Sequence, residues 1–294
     1  MKNLRVAVLR GGPSQEYEVS LKTGRGVLDS LGRRDVSTID ILINKQGEWI
    51  LNGFARRPEE VLAGVEVVFV ALHGSYGEDG TVQRILERVG VPYTGSRSYP
   101  SAVAMNKILT KEILRSGRLK MPAHMRVSAQ GTDMRRVAAT IESLFGPSYV
   151  VKPISGGSSI DTVIANGVHE LIRALQTLLA THEDVMVEEF ISGREATVGI
   201  VEGLRGQSHY VLPAIEIVPP NAHGFFDYEA KYNGQTEEIC PGRFSLDEKT
   251  SLAEAALQAH NLLGLSQYSR SDFIIGKKGD IYFLETNSLP GLTE

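Results

Sequence analysis

The chain reads as a mixed fold, α/β at its N-terminus and α+β beyond it, and three observations predict this. First, Val6–Leu9 is a short apolar run that stops at Gly11–Gly12. It leads into Glu18–Leu31, where Val19, Val27, Leu28 and Leu31 are apolar at helical spacing. Second, the unit repeats: Val67–Leu72 stops at His73–Gly74, and a helical pattern follows over Thr81–Val89. Strand, glycine turn and helix in succession describe a parallel sheet with helices on its faces, whose ligands gather beyond the carboxyl ends of the strands. Third, the pattern changes after Met121–Pro122, where strands flank a Gly/Ser loop instead of alternating with helices.

The elements follow in order. A helix is expected over Ser101–Arg115 and another over Thr132–Phe145. The strands Tyr149–Pro153 and Asp161–Ala165 come next, then a helix over Leu171–Ala180 and the strands Val185–Ile191 and Glu195–Val201. A longer strand is expected over Val211–Val218, followed by a loop from Pro219 to Phe244 of a length that is commonly functional. Helix Leu246–Leu263 and the strands Tyr268–Ile275 and Asp280–Glu285 complete the series. Boundaries near 97 and 189 divide the chain into units 1–97, 98–188 and 189–294.

Composition bounds the function. The 294 residues are 42% hydrophobic and 22% charged, enough to bury several cores. A net charge of −4 argues against a dedicated nucleic-acid binder. No apolar run approaches the roughly 20 residues of a membrane helix, and no signal peptide is read at the N-terminus. The single cysteine, Cys240, permits no intrachain disulfide and fits a cytoplasmic setting. No histidine partner near it suggests a nucleophile.

Three segments carry chemistry. Asp272, Glu285 and Asn287 lie on the last two strands. Glu285 and Asn287 share a face by the two-residue period, and a hairpin through Gly276–Gly279 would bring Asp272 to them. These are hard oxygen donors of the kind Mg²⁺ prefers, although a strand-end cluster of solvated polar groups is the commoner meaning of such a trio alone. Lys152–Ser159 joins a lysine to Gly and Ser residues that let backbone N–H groups approach phosphate. Alone, an ordinary hairpin turn with no ligand is the commoner meaning of such a segment. Val187–Glu195 is a strand entering a short linker that could meet an adenine edge, or could be a linker with exposed acids. Lys107, on the middle helix, adds a cation that alone would count as solvated.

Their order (Lys107, Lys152 with its loop, Glu188 to Glu195, then Asp272, Glu285 and Asn287) resembles the ATP-grasp fold, in which two α+β lobes clamp ATP, here over residues 97–294. Three further segments resemble the D-alanine–D-alanine ligase family: Gly11–Leu21, Leu72–Gly80 and Asp227–Tyr232. The resemblance implies an ATP-grasp fold with an N-terminal Rossmann-like domain. The implied activity is ATP-dependent joining of two D-alanines through an acyl phosphate, for peptidoglycan precursor synthesis. Rival expectations are a related carboxylate–amine ligase making the D-Ala–D-Lac or D-Ala–D-Ser product, or an ATP-binding fragment without turnover.

The family's residues carry over as follows. Glu16 would bind the amino group of the first D-alanine and form a hydrogen-bonded set with Ser158 and Tyr232, while His73 would lie near that substrate's carboxylate. Lys107, Lys152 and Lys231 would hold ATP phosphates. Glu188, the backbone of Phe190 and Ile191, and Glu195 would hold adenine and ribose. Asp272, Glu285 and Asn287 would bind two Mg²⁺ ions, or Mn²⁺ in their place. Arg270 and the Gly291 N–H would stabilise the oxyanion of the tetrahedral intermediate. Tyr232 would favour the dipeptide over the ester. The family usually forms homodimers. Arg10 and Asp161 depart from the family pattern, Asp161 by adding charge near the phosphate loop. The family also continues past Glu294 with a serine, further backbone contacts to the second substrate and a closing helix, so an incomplete chain is expected.

Overall fold

Along β1 (Arg5–Gly11) successive side chains alternate between two apolar cores. Ala7 and Leu9 pack with Ile41, Val68 and Leu86, while Val8 packs with Val27 and Ala71. A strand buried on both faces belongs inside a parallel sheet. β1 accordingly pairs in parallel with β2 (Ser37–Ile43) and with β5 (Val67–Val70). The helix α1 (Tyr17–Gly32) supplies Val27 to one face, and α3 (Thr81–Val89) supplies Val82 and Leu86 to the other. The short helix α2 is Pro58–Val61. A hairpin of β3 (Trp49–Leu51) and β4 (Phe54–Arg56) extends the sheet on the far side of β2, giving the order β4-β3-β2-β1-β5. Residues 37–56 carry no expectation above, yet Asn52–Gly53, with φ of 52° and 83°, is a strong hairpin signal.

The protein is seen here as a computed structural model that describes residues 4–34, 36–131, 133–157, 161–219 and 236–292. Ser158 and the whole Asp227–Tyr232 segment, Lys231 and Tyr232 included, lie outside the described residues.

Two antiparallel sheets follow the parallel one. The central sheet runs β6 (His124–Ser128), β9 (Asp184–Glu189), β7 (Ser148–Pro153), β8 (Val163–Asn166). The helices α6 (Met134–Phe145) and α7 (Gly167–Leu179) press Ile141, Leu171 and Leu175 onto Tyr149, Val151 and Val187. Asp133 caps α6, its carboxylate accepting from the N–H groups of Arg135 and Arg136.

In the C-terminal sheet β10 (Gly193–Glu202) is central. β14 (Tyr268–Gly276) and β15 (Ile281–Asn287) lie on one side, and β11 (His209–Val211), β12 (Ile215–Val218) and β13 (Glu237–Ile239) on the other. The helix α8 (Leu246–Leu262) opens with a capping box between Ser245 and Glu248 and buries Leu252, Ala256 and Ala259 against Ala196, Val198, Ile200, Phe273 and Phe283. α4 (Ser98–Met105) and α5 (Lys107–Leu114) precede the central sheet in sequence, but Val103, Ala104 and Leu114 enter this C-terminal core.

Two expected elements are each divided in two. The helix over Ser101–Arg115 breaks at Asn106, whose φ of −92° and ψ of 103° are extended. There Asn106 bridges to Ser155, and its side chain accepts from the Leu109 N–H (3.0 Å), capping α5. The strand over Val211–Val218 breaks at Pro213, which has no N–H for a ladder. The Asn106 cap sets the first turn of α5 and hence Lys107, so Asn106→Ala is expected to cost about 1 kcal/mol. Urea unfolding checks this, and an unchanged midpoint would remove the cap from the account.

Candidate active site

The register of the last hairpin builds the acidic end of the site. Asp272 pairs directly with Glu285, and Arg270 pairs with Asn287, so all four side chains share one face. On the other side of β14, Thr197 pairs with Asp272 and extends the row across three strands. The register shifts between Asp272 and Phe273, a bulge beside the paired carboxylates. The opposite face is closed by a buried hydroxyl pair, Ser271 Oγ and Thr286 Oγ1, 2.7 Å apart.

Asp272 is held from three directions. Arg270 donates through Nε (3.0 Å) and Nη2 (2.9 Å), Thr197 Oγ1 donates at 2.6 Å, and Asn287 Nδ2 at 3.3 Å. Burial would lower the Arg270 pKa, but Asp272 outweighs it and the net shift is upward. Two carboxylates and an amide on one face are a donor set that fits Mg²⁺.

The basic end comes from α5 and β7. Lys107 Nζ donates to the Gly156 carbonyl (2.7 Å) and lies 3.5 Å from Glu285 Oε2. Lys152 Nζ and Lys111 Nζ each stand 2.6 Å from a different oxygen of Glu188, which is 2% exposed. Burial alone would raise the Glu188 pKa, but the two ammonium groups outweigh it and hold the carboxylate well below its usual range. Burial lowers the pKa of Lys107 and of Lys111. For Lys152 burial also acts downward, but Glu188 and Glu285 overcome it and the net shift is upward.

Lys111 carries no expectation from sequence. Its signal was available: Lys107, Thr110, Lys111 and Leu114 form one buried stripe of α5, and a lysine in such a stripe needs a buried acid.

The N-terminal sheet supplies the third wall at the carboxyl ends of β1 and β5. Gly11 ends β1 at φ 91°, and its φ and the nearby Ile43 carbonyl both exclude a side chain. Glu16 follows, 7% exposed, its N–H donating to Ser14 Oγ (3.1 Å). A Cβ on Gly157 would fall 2.9 Å from Glu16 Oε2, so the Gly/Ser loop reaches Glu16 because it lacks one there.

His73 is buried with both ring nitrogens engaged. Nδ1 lies 3.1 Å from the Leu289 carbonyl, which can only accept, so Nδ1 carries the hydrogen and Nε2 accepts from Thr23 Oγ1 (2.8 Å). Burial pushes its pKa down to about 4, so the ring is neutral.

Glu78, quoted above only as part of Leu72–Gly80, accepts from the N–H groups of Gly74 (2.8 Å) and Leu289 (3.0 Å). Burial, then the charge of Glu16, pushes its pKa up to about 8.

Every implied site residue within the described chain lines one cleft of about 910 Å³, from Glu16 and His73 to Asp272, Glu285, Asn287 and Gly291. Phe190, Ile191 and Glu195 form its edge between the two antiparallel sheets. The Phe190 N–H donates to the Ser148 carbonyl (3.1 Å), so of its two backbone groups the carbonyl is the one left to face a base.

Two antiparallel sheets closing on a cleft lined with lysines and carboxylates, beside a parallel sheet, define the ATP-grasp architecture. The chain belongs to the D-alanine–D-alanine ligase family. The family model described as D-ala D-ala ligase C-terminus matches residues 113–294, and that described as D-ala D-ala ligase N-terminus matches 5–60 and 52–96.

The D-alanine–D-alanine ligase of Geobacter sulfurreducens is 40% identical over 294 residues, covering 100% of this chain and 86% of the relative. That of Aquifex aeolicus is 38% identical, covering 99% and 92%. Among solved structures, the Bacillus anthracis D-alanine–D-alanine ligase superposes with a TM-score of 0.78 at 32% identity, covering 99% of this chain and 88% of its own. The Enterococcus faecalis VanG D-Ala:D-Ser ligase gives 0.82 at 28% identity, with 99% and 92% covered.

Two outcomes follow from these charges. Glu78 binds a proton in the folded state up to about pH 8, whereas unfolded it releases one near 4.5. The folded protein therefore holds more protons across that window, and the stability this group contributes below about pH 4.5 is lost as pH rises through 8. Relative to Glu78→Gln, the wild type is expected to lose stability over this window, by a few kcal/mol at most. Urea unfolding across the range checks it, and parallel curves for the two proteins would overturn it. Separately, Lys111→Met leaves Glu188 one ammonium partner and is expected to cost about 3 kcal/mol by urea unfolding. A loss below about 1 kcal/mol, the scale of a surface pair, would show that Lys152 alone suffices.

Proposed function

We propose that this cleft joins two D-alanines at the expense of ATP, yielding D-alanyl-D-alanine for peptidoglycan precursors. What supports the reading most is that phosphate-type cations, paired carboxylates and Glu16 line a single cleft. On this reading Lys107 and Lys152 hold ATP phosphates, and Glu188, the Phe190 carbonyl, the Ile191 backbone and Glu195 hold adenine and ribose. Lys231, Ser158 and Tyr232 are proposed from the family alone.

Asp272, Glu285 and Asn287 would hold Mg²⁺, which when bound neutralises phosphate charge. A carboxylate oxygen of the first D-alanine attacks the γ-phosphorus and ADP departs, leaving an acyl phosphate. The uncharged amine of the second D-alanine then attacks the acyl carbon, forms the peptide bond, loses a proton and expels phosphate. On this reading Arg270 and the Gly291 N–H steady the oxyanion between these steps, and a donor in that position is worth about 10²–10³ in rate. Glu16 orients the first substrate's ammonium group. His73, being neutral, acts through the Leu289 carbonyl that it holds rather than through charge.

Three units near 1–97, 98–188 and 189–294 are part of this proposal, with α4 and α5, at the start of the second, packed on the core of the third. Among the described residues no helix is long and apolar enough to cross a membrane. A cytoplasmic homodimer accompanies this reading on the family's precedent.

Phosphate release from Mg²⁺-ATP is expected to require D-alanine, not L-alanine, and to fall by about 10²-fold or more in Glu285→Ala. Release without D-alanine, or an unimpaired Glu285→Ala, would sink the assignment. Greater release with D-alanine plus D-serine or D-lactate than with D-alanine alone would move the second substrate to the alternative class.

A further inference from the structure

β10 serves the cleft with its first half only, Gly193 to Thr197. Thr197 and Glu195 face the cleft, while Ala196, Val198 and Ile200 face α8. By the same alternation Glu202 faces α8, and it stands about 23 Å along the strand from Glu195. Glu202 pairs directly with His209 of β11, and His260 of α8 meets it from above the sheet.

His260 Nε2 lies 3.3 Å and His209 Nε2 3.6 Å from Glu202 Oε1, and one ligand atom from each residue lies within 4.8 Å of the others. None of the three lines the cleft.

We propose that Glu202, His209 and His260 form a Zn²⁺ site. Tetrahedral zinc, with bonds of about 2.0–2.2 Å to nitrogen and oxygen, holds its ligand atoms about 3.3–3.5 Å apart, and two edges of this triangle stand near that value. Two imidazoles and a carboxylate are a set that zinc accepts with a water as fourth ligand.

The outer atoms of two of the ligands are already occupied, which aims the inner ones. His260 Nδ1 is 2.8 Å from Ser269 Oγ, which turns Nε2 toward Glu202. Glu202 Oε2 accepts from the Gln267 N–H (2.7 Å), which leaves Oε1 between the two rings. His260 is fully buried, and its burial favours the uncharged ring that a metal requires. His209 and Glu202 are about a third exposed, so the open side for water and for metal entry is theirs.

The site would stiffen a seam. Gln267, whose N–H anchors Glu202, also accepts from the Gly95 N–H (3.0 Å) and donates to the Tyr93 carbonyl (3.1 Å) in the N-terminal unit. Zinc would thus fasten β10, β11 and α8 beside the contact that joins the first unit to the last.

The test is calorimetric titration of Zn²⁺ into chelator-treated full chain, with Mg²⁺ in excess to occupy the cleft. A Cys240→Ser background removes the exposed thiol as a ligand. One zinc per chain is expected, with affinity lowered more than tenfold by His209→Ala and by Glu202→Gln. Ser269→Ala, which keeps all three ligands, is expected to weaken binding by about tenfold. Co²⁺ in place of zinc should give the visible bands of a four-coordinate ion, lost in His209→Ala. No binding by the wild type, or undiminished binding in both His209→Ala and Glu202→Gln, would overturn the proposal.

Discussion

Leu289 is bound at both ends of its peptide unit by the N-terminal sheet's loop: its N–H donates to Glu78 and its carbonyl accepts from His73. Its side chain, 2% exposed, lies in the N-terminal core with Leu9, Val70 and Leu86. Burying a leucine contributes about 1.5–3 kcal/mol, and the two hydrogen bonds add to it. The residue stands two positions after the end of β15, so this docking fixes where the Asp272–Glu285 row sits relative to Glu16. A glycine at 95 belongs to the same contact: a Cβ there would come within 2.6 Å of the Leu289 side chain. The Asp272–Glu285 row is tied to the Glu16 wall by this short segment, together with the Gln267 contacts to Gly95 and Tyr93.

The electrostatics of the cleft answer a different constraint. Burying a carboxylate such as Glu188 costs several kcal/mol unless opposite charges recover it, and two lysines on separate elements do so. Lys111 comes from α5, which packs on the C-terminal core, and Lys152 from the central sheet. The triad therefore works as a joint between units as well as a charge site. Its pattern of shifts, an acid driven down between cations from different lobes, is typical of functional clefts, although structural ion-pair networks produce it too.

Much of this was legible in the sequence, for reasons that differ by element. The parallel sheet could be read because Val6–Leu9 and Val67–Leu72 are apolar without alternation and stop at glycines. The acidic trio could be read because a two-residue period and a short turn constrain which side chains can meet. Lys111 and Glu78 were not read, since a charge inside a buried stripe looks like any surface charge until its partner is placed. Glu78 finds its partners at Gly74 and at Leu289, the second 211 positions away. Asn106 escaped because a helix break that serves another strand has no local signal beyond a residue that caps well. Glu202, His209 and His260 share no local pattern either, and only the pairing of β10 with β11 and its packing on α8 unite them.

One register underlies both ends of β10. Its pairing with β14 runs without a break from Gly193 opposite Gly276 to Val201 opposite Tyr268, and the bulge at Asp272 is confined to the β14–β15 side. A slip by one residue would turn every β10 side chain to the other face. Thr197 would leave Asp272, and Glu202 would leave the histidine that meets it from α8. The apolar positions Ala196, Val198 and Ile200 forbid that slip, since it would expose them to the cleft and bury Glu195 and Thr197 under α8. The hydrophobic pattern of one strand thus holds the metal-type carboxylates in place on one face and the Glu–His cluster in place on the other.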